Sequence, residues 1–296
     1  MNPREKGFLL LSSHLGDPQR RPLTLHQLGE LTRCMRTLER PAQDRDLELG
    51  DLLSLGCSQE LACRILELLE DGALLQYYIS RAAAQGCIPV TRVSAAYPER
   101  IRRQLGVESP GCLWAKGDLS ILSETAVALV GSRDLNAPNR VFARQVGILA
   151  AQRGFTLVSG NARGADRIAQ EACLEAGGKV ISIVADQLFS HPECNNLLYL
   201  SEDGYAESFS AQRALQRNRC IHALGQVTFV AQSALEKGGT WHGTVNNLRH
   251  GWSDVICFRD GSAAGYALER KGATLITLEE LENFSLEPDQ QCFLEI

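Results

Sequence analysis

The sequence predicts an α/β protein, a doubly wound Rossmann-like parallel sheet with a small N-terminal helical domain. Three observations carry that prediction. From about residue 124 onward, short β-branched and apolar runs alternate with helix-period segments, which is the signature of βαβ crossovers. Each of the leading runs stops on glycine or a burst of small polar residues, as "VALVGSRD" and "TLVSGNARGAD" do, and a helical pattern follows. Before about residue 85, by contrast, the apolar spacing is helical and no strand alternates with it.

Bulk properties bound the rest. The 296 residues, 44% hydrophobic and 22% charged, suit a soluble globular chain with one large domain and a smaller one. A net charge of -5 and a pI of about 5.8 give no overall attraction to nucleic acid or anionic membrane, so any anion site is local. Ten cysteines are scattered without a CxxC pair, which reads as reduced, structural thiols rather than a disulfide framework or a metal site. The N-terminus lacks a signal-peptide pattern and no apolar stretch reaches the roughly 18 residues of a membrane span, so a cytoplasmic protein with no membrane partner is expected.

In chain order, "LTLHQLGELTRCMRTL" places Leu25, Leu28, Leu31 and Met35 on one helical face, with Thr24 as N-cap. "DLLSLGCSQELACRILELLEDG" does the same from Leu52 to Leu69, broken at Gly56 and restarted by Ser58. These helices define an expected domain over 1–85. Residues 86–123, punctuated by Pro98 and Pro110, read as an extension that folds onto the sheet domain of 86–296. Within that domain come the strand "TAVALVGSRD", the helix "VFARQVGILAAQRGF", the strand "TLVSG", the helix "RIAQEACLEAGG" and the strand "KVISIVAD". "QVTFVAQS", "TVNNLRHG", "DVICFRD", "AAGYALERKG" and "ATLIT" continue the alternation.

In such sheets ligands bind beyond the carboxyl ends of the strands, and the conspicuous polar stretches fall on that edge. Gly131, Ser132 and Arg133 end the first strand, Ser159, Gly160, Arg163, Gly164 and Asp166 follow the second, and Gly238, Gly239 and Thr240 follow "QVTFVAQS". Glycines admit a ligand close to the backbone, helix N-termini favour anions, and arginine adds bidentate donors. Arg163 is thus the expected phosphate clamp. "LQRNRC" adds Arg217, Asn218 and Arg219; arginines two apart on a helix do not share a face, so one is free to face the pocket while the other anchors the fold.

The stretches "YPERIRRQLGVESPGCLWAKGDLSIL", "VALVGSRD", "LVSGNARGADRIAQEACLEAGGKVISIV", "HPECNNLL" and "LQRNRC" together resemble the DNA-processing protein A (Smf) family, over roughly residues 85–285. The wider superfamily joins it to the lysine-decarboxylase-like, cytokinin-activating proteins. The resemblance implies a non-enzymatic, cofactor-free, homodimeric protein that binds single-stranded DNA and helps load a RecA-type recombinase in natural transformation. It assigns phosphate contacts to Arg133, Arg163, Arg217 and Arg219. Where relatives usually read "SGLARGID", this chain carries Asn161 and Ala165. The other branch of the superfamily implies a second reading, a nucleotide sensor or nucleotide N-glycoside hydrolase with a "PGGxGTxxE" loop. Gly238, Gly239, Gly243 and Thr244 keep that flavour, but Asn247 stands where the acid belongs, and an amide cannot exchange the proton. His222, His242, Trp241 and Trp252 read as core or rim residues.

Overall fold

A computed structural model describes residues 1–36 and 46–286. The expected helical residues Thr37 and Leu38, and Cys292 among the ten cysteines, lie outside the described residues.

Among the described residues five helices open the chain: α1 (Pro3–Ser12), α2 (Leu25–Arg36), α3 (Leu49–Ser54), α4 (Gln59–Leu69) and α5 (Gly72–Ala83). The Ser58 hydroxyl accepts from the Leu61 amide to start α4, and Gly56 at φ +86° makes the turn that separates it from α3. Leu61, Ala62, Ile65 and Leu68 then fall on one face of α4 and bury against Leu28 and Leu31 of α2 and Leu52 of α3. Helices α1 and α5 turn a second way: Leu9, Leu10, Leu75, Tyr78 and Ala82 join the core beneath the sheet, so part of the helical segment packs with the sheet domain.

The sheet then builds as β1 (Ile88–Thr91), α6 (Glu99–Leu105), β2 (Cys112–Lys116), β3 (Ala126–Val130), α7 (Ala137–Gln152), β4 (Thr156–Ser159), α8 (Ala165–Glu175), β5 (Lys179–Ile183) and β6 (Leu197–Ser201). It continues through α9 (Ala211–Leu224), β7 (Val227–Val230), α10 (Gly238–His250), β8 (Asp254–Phe258), α11 (Ala263–Glu269), β9 (Thr274–Ile276) and α12 (Leu278–Glu282). The nine strands of the described residues lie in the order β1-β2-β6-β5-β4-β3-β7-β8-β9. All neighbours from β6 to β9 are parallel, while β1 and β2 add an antiparallel edge beside β6.

Both faces of the sheet are covered, and the strand alternation decides which residue goes where. Val127 and Leu129 of β3 and Phe229 of β7 face α7 and α8, with Phe142 and Val146 of α7 packed against them. Ala128 and Val130, one register step away, face the layer of α6, α9, α10 and α11 through Ile101, Ile221, Trp241 and Leu268. The fold is the doubly wound α/β architecture. Its chain runs outward from β3 through β4 and β5 to β6, then returns by α9 to β7 on the other side of β3. Strand order therefore reverses between β3 and β7, and the loops after these two strands diverge to leave a crevice.

Candidate functional site

A cleft of about 530 Å³ opens at that reversal point, and a second lobe of about 380 Å³ adjoins it over the ends of β4 and β5. Arg133, Ala162, Ala214 and Arg217 line both lobes. Of the sequence-expected residues, Gly131, Ser132, Arg133, Asp166, Arg217, Asn218, Gly238, Gly239 and Thr240 border the first lobe. Gly160 and Arg163 border the second. Ser159, Gly164 and Arg219 border neither: the Ser159 hydroxyl is buried and accepts from the Gln170 amide, and Gly164 lies beneath the loop.

The loop after β4 is held mainly by its own side chains. Asp166 Oδ2 accepts from the Gly160 and Ala162 amides at 3.1 and 3.2 Å, which folds the loop over the start of α8. Gly160 is required there for a reason other than ligand approach: a Cβ at this position would stand 1.5 Å from Arg217 Nη1. Arg217 fills the place and donates to the Gly160 carbonyl at 2.8 Å. Gly164, at φ +89°, presses against the Ser132 and Arg133 carbonyls, and the first amide of α8, that of Ala165, donates to Ser132 O. Asn161 takes φ +57°, a left-handed conformation that asparagine tolerates better than most residues, which is a physical account of asparagine at this turn.

Asp166 and Arg217 are both buried under the cleft floor. Burial pushes the Asp166 carboxyl up, opposed by the Arg217 charge and the two loop amides. Burial pushes Arg217 down, opposed by Asp166. Each compensates the desolvation of the other. Two residues along α9, Arg219 is aimed elsewhere: it pairs with Glu202 at 2.8 Å and donates to the Glu108 carbonyl, tying α9 to the turn after α6.

Exposed cations ring the mouth. Arg133 is exposed between the lobes, and Arg163, three-quarters exposed, reaches Asp134 at 2.9 Å in an ion pair that water screens. Lys237, which the motif reading passed over, precedes Gly238 at the N-cap of α10 and supplies no side-chain acceptor to it. A cation at the positive end of a helix is unfavourable, and that was the available signal: it is tolerated best where an anion sits between them. Glu236 beside it takes φ +57°, so both rims of the cleft carry a strained non-glycine residue. Phe209, also unflagged by motif, stands exposed on the rim of the second lobe.

Beneath the first lobe the residues expected from the hydrolase-type loop turn inward. Asn247 is fully buried; its amide donates to Ser253 Oγ at 3.0 Å and its carbonyl accepts from the Ser253 amide. It is committed to the interior, as is Thr244. His222 is fully buried while His242 is exposed on the cleft wall; Trp241 and Trp252 are packed in the core. Cys57, Cys87, Cys112, Cys173, Cys220 and Cys257 are buried thiols, and among the described residues no group of histidine, cysteine and acidic side chains is arranged to hold a metal. No helix of the described residues is long and apolar enough to cross a membrane.

The family model of the DNA recombination-mediator protein A matches residues 89–277. The DNA processing protein DprA of Streptococcus pneumoniae is 30% identical over 183 residues, 57% of this chain and 64% of that protein. Protein Smf of Escherichia coli is 31% identical over 192 residues, 59% of this chain and 51% of that protein. The matched stretch thus spans less than two thirds of either relative. The crystal structure of the Streptococcus pneumoniae protein superposes with a TM-score of 0.73 at 24% identity, covering 97% of this chain and all of that one. A structure of DNA processing protein A from Helicobacter pylori, described for its single-stranded DNA binding mode, superposes with a TM-score of 0.56 at 23% identity, over 67% of this chain and 93% of that one.

Proposed function

The chain belongs to the DNA recombination-mediator protein A family, and from that premise we propose that it is a DNA-processing protein that binds single-stranded DNA in this cleft without cleaving it. The observation that carries the reading is the concentration of Arg133, Arg163 and Lys237 around one cleft, beside the uncapped start of α10, in a protein whose net charge is -5. Backbone phosphates are bound by such groups without regard to sequence. Phe209 adds an exposed aromatic face on which a base can stack, the usual companion of a cationic groove in single-strand binding. The Helicobacter pylori relative's description as a single-stranded DNA binder supports the same ligand.

Within this reading Arg133, Arg163 and Lys237 are the direct phosphate contacts, and Arg217 with Asp166 holds the floor they stand on. Arg219 belongs to the fold. The protein works in the cytoplasm as a homodimer that passes the strand to a RecA-type recombinase. Fluorescence anisotropy with an oligonucleotide at two salt concentrations tests the ligand: binding that weakens as salt rises is expected, and none at low salt ends the proposal. Light scattering and a pull-down with the recombinase test the assembly.

A smaller ligand is favoured by one observation only, the 530 Å³ volume of the first lobe, which lies in the range of nucleotide sites. A thermal-shift screen of mononucleotides separates that sensor from the strand binder. The hydrolase version finds no acid at the position where Asn247 is buried against Ser253.

A further inference from the structure

Among the described residues none before Val130 lines either lobe of the cleft, yet α5 reaches a loop that does. Tyr78 of α5, Trp114 of β2 and Tyr205, in the 202–210 loop between β6 and α9, are buried in one cluster. Their ring centroids stand 4.8 Å apart for Tyr78 and Tyr205, 5.2 Å for Tyr78 and Trp114, and 5.3 Å for Trp114 and Tyr205, tilted or edge-on as aromatic rings prefer. Two glycines make room for Tyr78. A Cβ at Gly16 would stand 2.7 Å from its ring, and one at Gly204 would stand 2.9 Å from its hydroxyl. The loop backbone therefore lies directly on the Tyr78 side chain.

The rest of the loop follows from that anchor. The Tyr205 carbonyl accepts from the Phe189 amide at 3.3 Å, which ties the loop to the turn after β5. Arg213 of α9 holds its two shoulders, donating to Asp203 Oδ2 at 2.8 Å and to the Ser208 carbonyl at 2.6 Å, and it also reaches the Ala185 carbonyl beyond β5 at 3.2 Å. The Ser210 hydroxyl accepts from the Arg213 amide and starts α9. Phe209 sits between the Ser208 and Ser210 anchors on the rim of the second lobe. With 58% of its surface in solvent, it is placed by the backbone that carries it rather than by packing of its own. An exposed ring gives more affinity when its backbone is fixed before the ligand arrives, because less freedom is lost on binding.

We propose that Tyr78 is a positioning residue for strand binding: by seating Tyr205 it fixes the loop that presents Phe209 to a base, so the N-terminal helices act on the cleft without lining it. This role rests on the nucleic-acid reading above and concerns how the rim is held. Tyr78 itself touches no ligand.

Fluorescence anisotropy of the full chain tests it, with a thymine oligonucleotide and an abasic one of equal length, on the wild type, Phe209→Ala, Tyr78→Leu and the double variant. Loss of a base-aromatic stack is expected to weaken the thymine strand roughly tenfold in Phe209→Ala. Tyr78→Leu keeps apolar bulk but not the ring, and is expected to weaken it about fivefold, the order of the cost of immobilising one loosened side chain. The double variant is expected to match Phe209→Ala alone, since residues acting through one contact are not additive. Abasic binding and the salt slope stay level in all of them. Tyr78→Phe keeps the ring contacts and is expected to bind like the wild type. Gly204→Ala, whose methyl presses on the Tyr78 hydroxyl while α5 is untouched, repeats the loss and stands in if Tyr78→Leu fails to fold. A purely structural role gives additive losses instead, or equal losses on the thymine and abasic strands, and either result overturns the positioning role. So does wild-type affinity in a folded Tyr78→Leu, or in Gly204→Ala where the former does not fold. Phe209→Ala binding like the wild type also overturns it, while leaving the cationic strand reading intact. A wild type that binds neither strand overturns both.

Discussion

The loop between β4 and α8 and the loop between β7 and α10 approach one cleft from either side of β3, yet their polar groups do opposite work. In the first, the backbone and the buried side chains are satisfied internally while Arg163 stays exposed at the mouth: Asp166 takes two loop amides, Gly160 makes room for Arg217, and Ala165 donates to Ser132. In the second, Lys237 leaves the start of α10 uncapped, and a Cβ at Gly238 would meet nothing within 4 Å. Apart from the exposed Arg163 side chain one loop is scaffold, and the other is open donor. A glycine-rich turn is therefore not a ligand site by composition; what decides is whether its amides and neighbours already have partners.

The sharpest way to break the comparison is to attack the scaffold. Asp166→Ala removes the acceptor of two loop amides and takes from buried Arg217 the largest of its compensating charges, leaving Glu202 and Asp186, and it is expected to cost about 3 kcal/mol of unfolding free energy. Urea denaturation measures it; a loss below about 1 kcal/mol would show that the β4 loop is not held this way.

Acid is the next lever. His222 has a folded pKa of about 3 against an ordinary value of 6.5, so the unfolded chain binds the extra proton between those values. The stability it confers is present above pH 6.5 and is lost as pH falls toward 3, by up to about 1.4 kcal/mol per pH unit. Urea midpoints measured down that range should fall more steeply for the wild type than for His222→Gln. Parallel profiles would remove His222 as the cause.

Binding sharpens the contrast from the other side. Lys237→Ala should weaken single-stranded DNA binding for every sequence and reduce the salt slope by about one, while stability stays level or rises by a few tenths of a kcal/mol, roughly the size of a relieved helix-dipole clash. Unchanged affinity in an anisotropy titration would take the α10 rim out of the site. The smallest effect belongs to Arg163→Ala: its exposed pair with Asp134 contributes little to stability, so thermal melting should not move, and any loss of affinity is a direct measure of its phosphate contact.

Much of the frame was legible. The runs around β3, β4, β5, β7, β8 and β9 and the helices between them stand out because a parallel sheet buried on both faces writes each strand as a short apolar block. β6 was missed: "LLYLS" follows a polar, turn-rich stretch, and five buried residues carry no period to separate strand from helix. The two outlooks of "RNR" were legible as a rule, since a helix separates residues two apart, but which arginine faced the cleft was not. Lys237 escaped because the glycines beside it in "EKGG" drew the reading, and Phe209 because it belongs to no motif; both stand at the mouth.

By itself the sequence determined the alternation of strands and helices, the edge on which polar turns collect and the family to which they point, because those follow from local spacing and from the order of motifs along the chain. Tertiary structure alone decided that Arg217 lies under Gly160, that Asn247 turns to Ser253 and that His222 keeps one nitrogen unpaired. Each depends on which buried donor meets which acceptor across distant elements, and that pairing is set by packing rather than by neighbours in sequence.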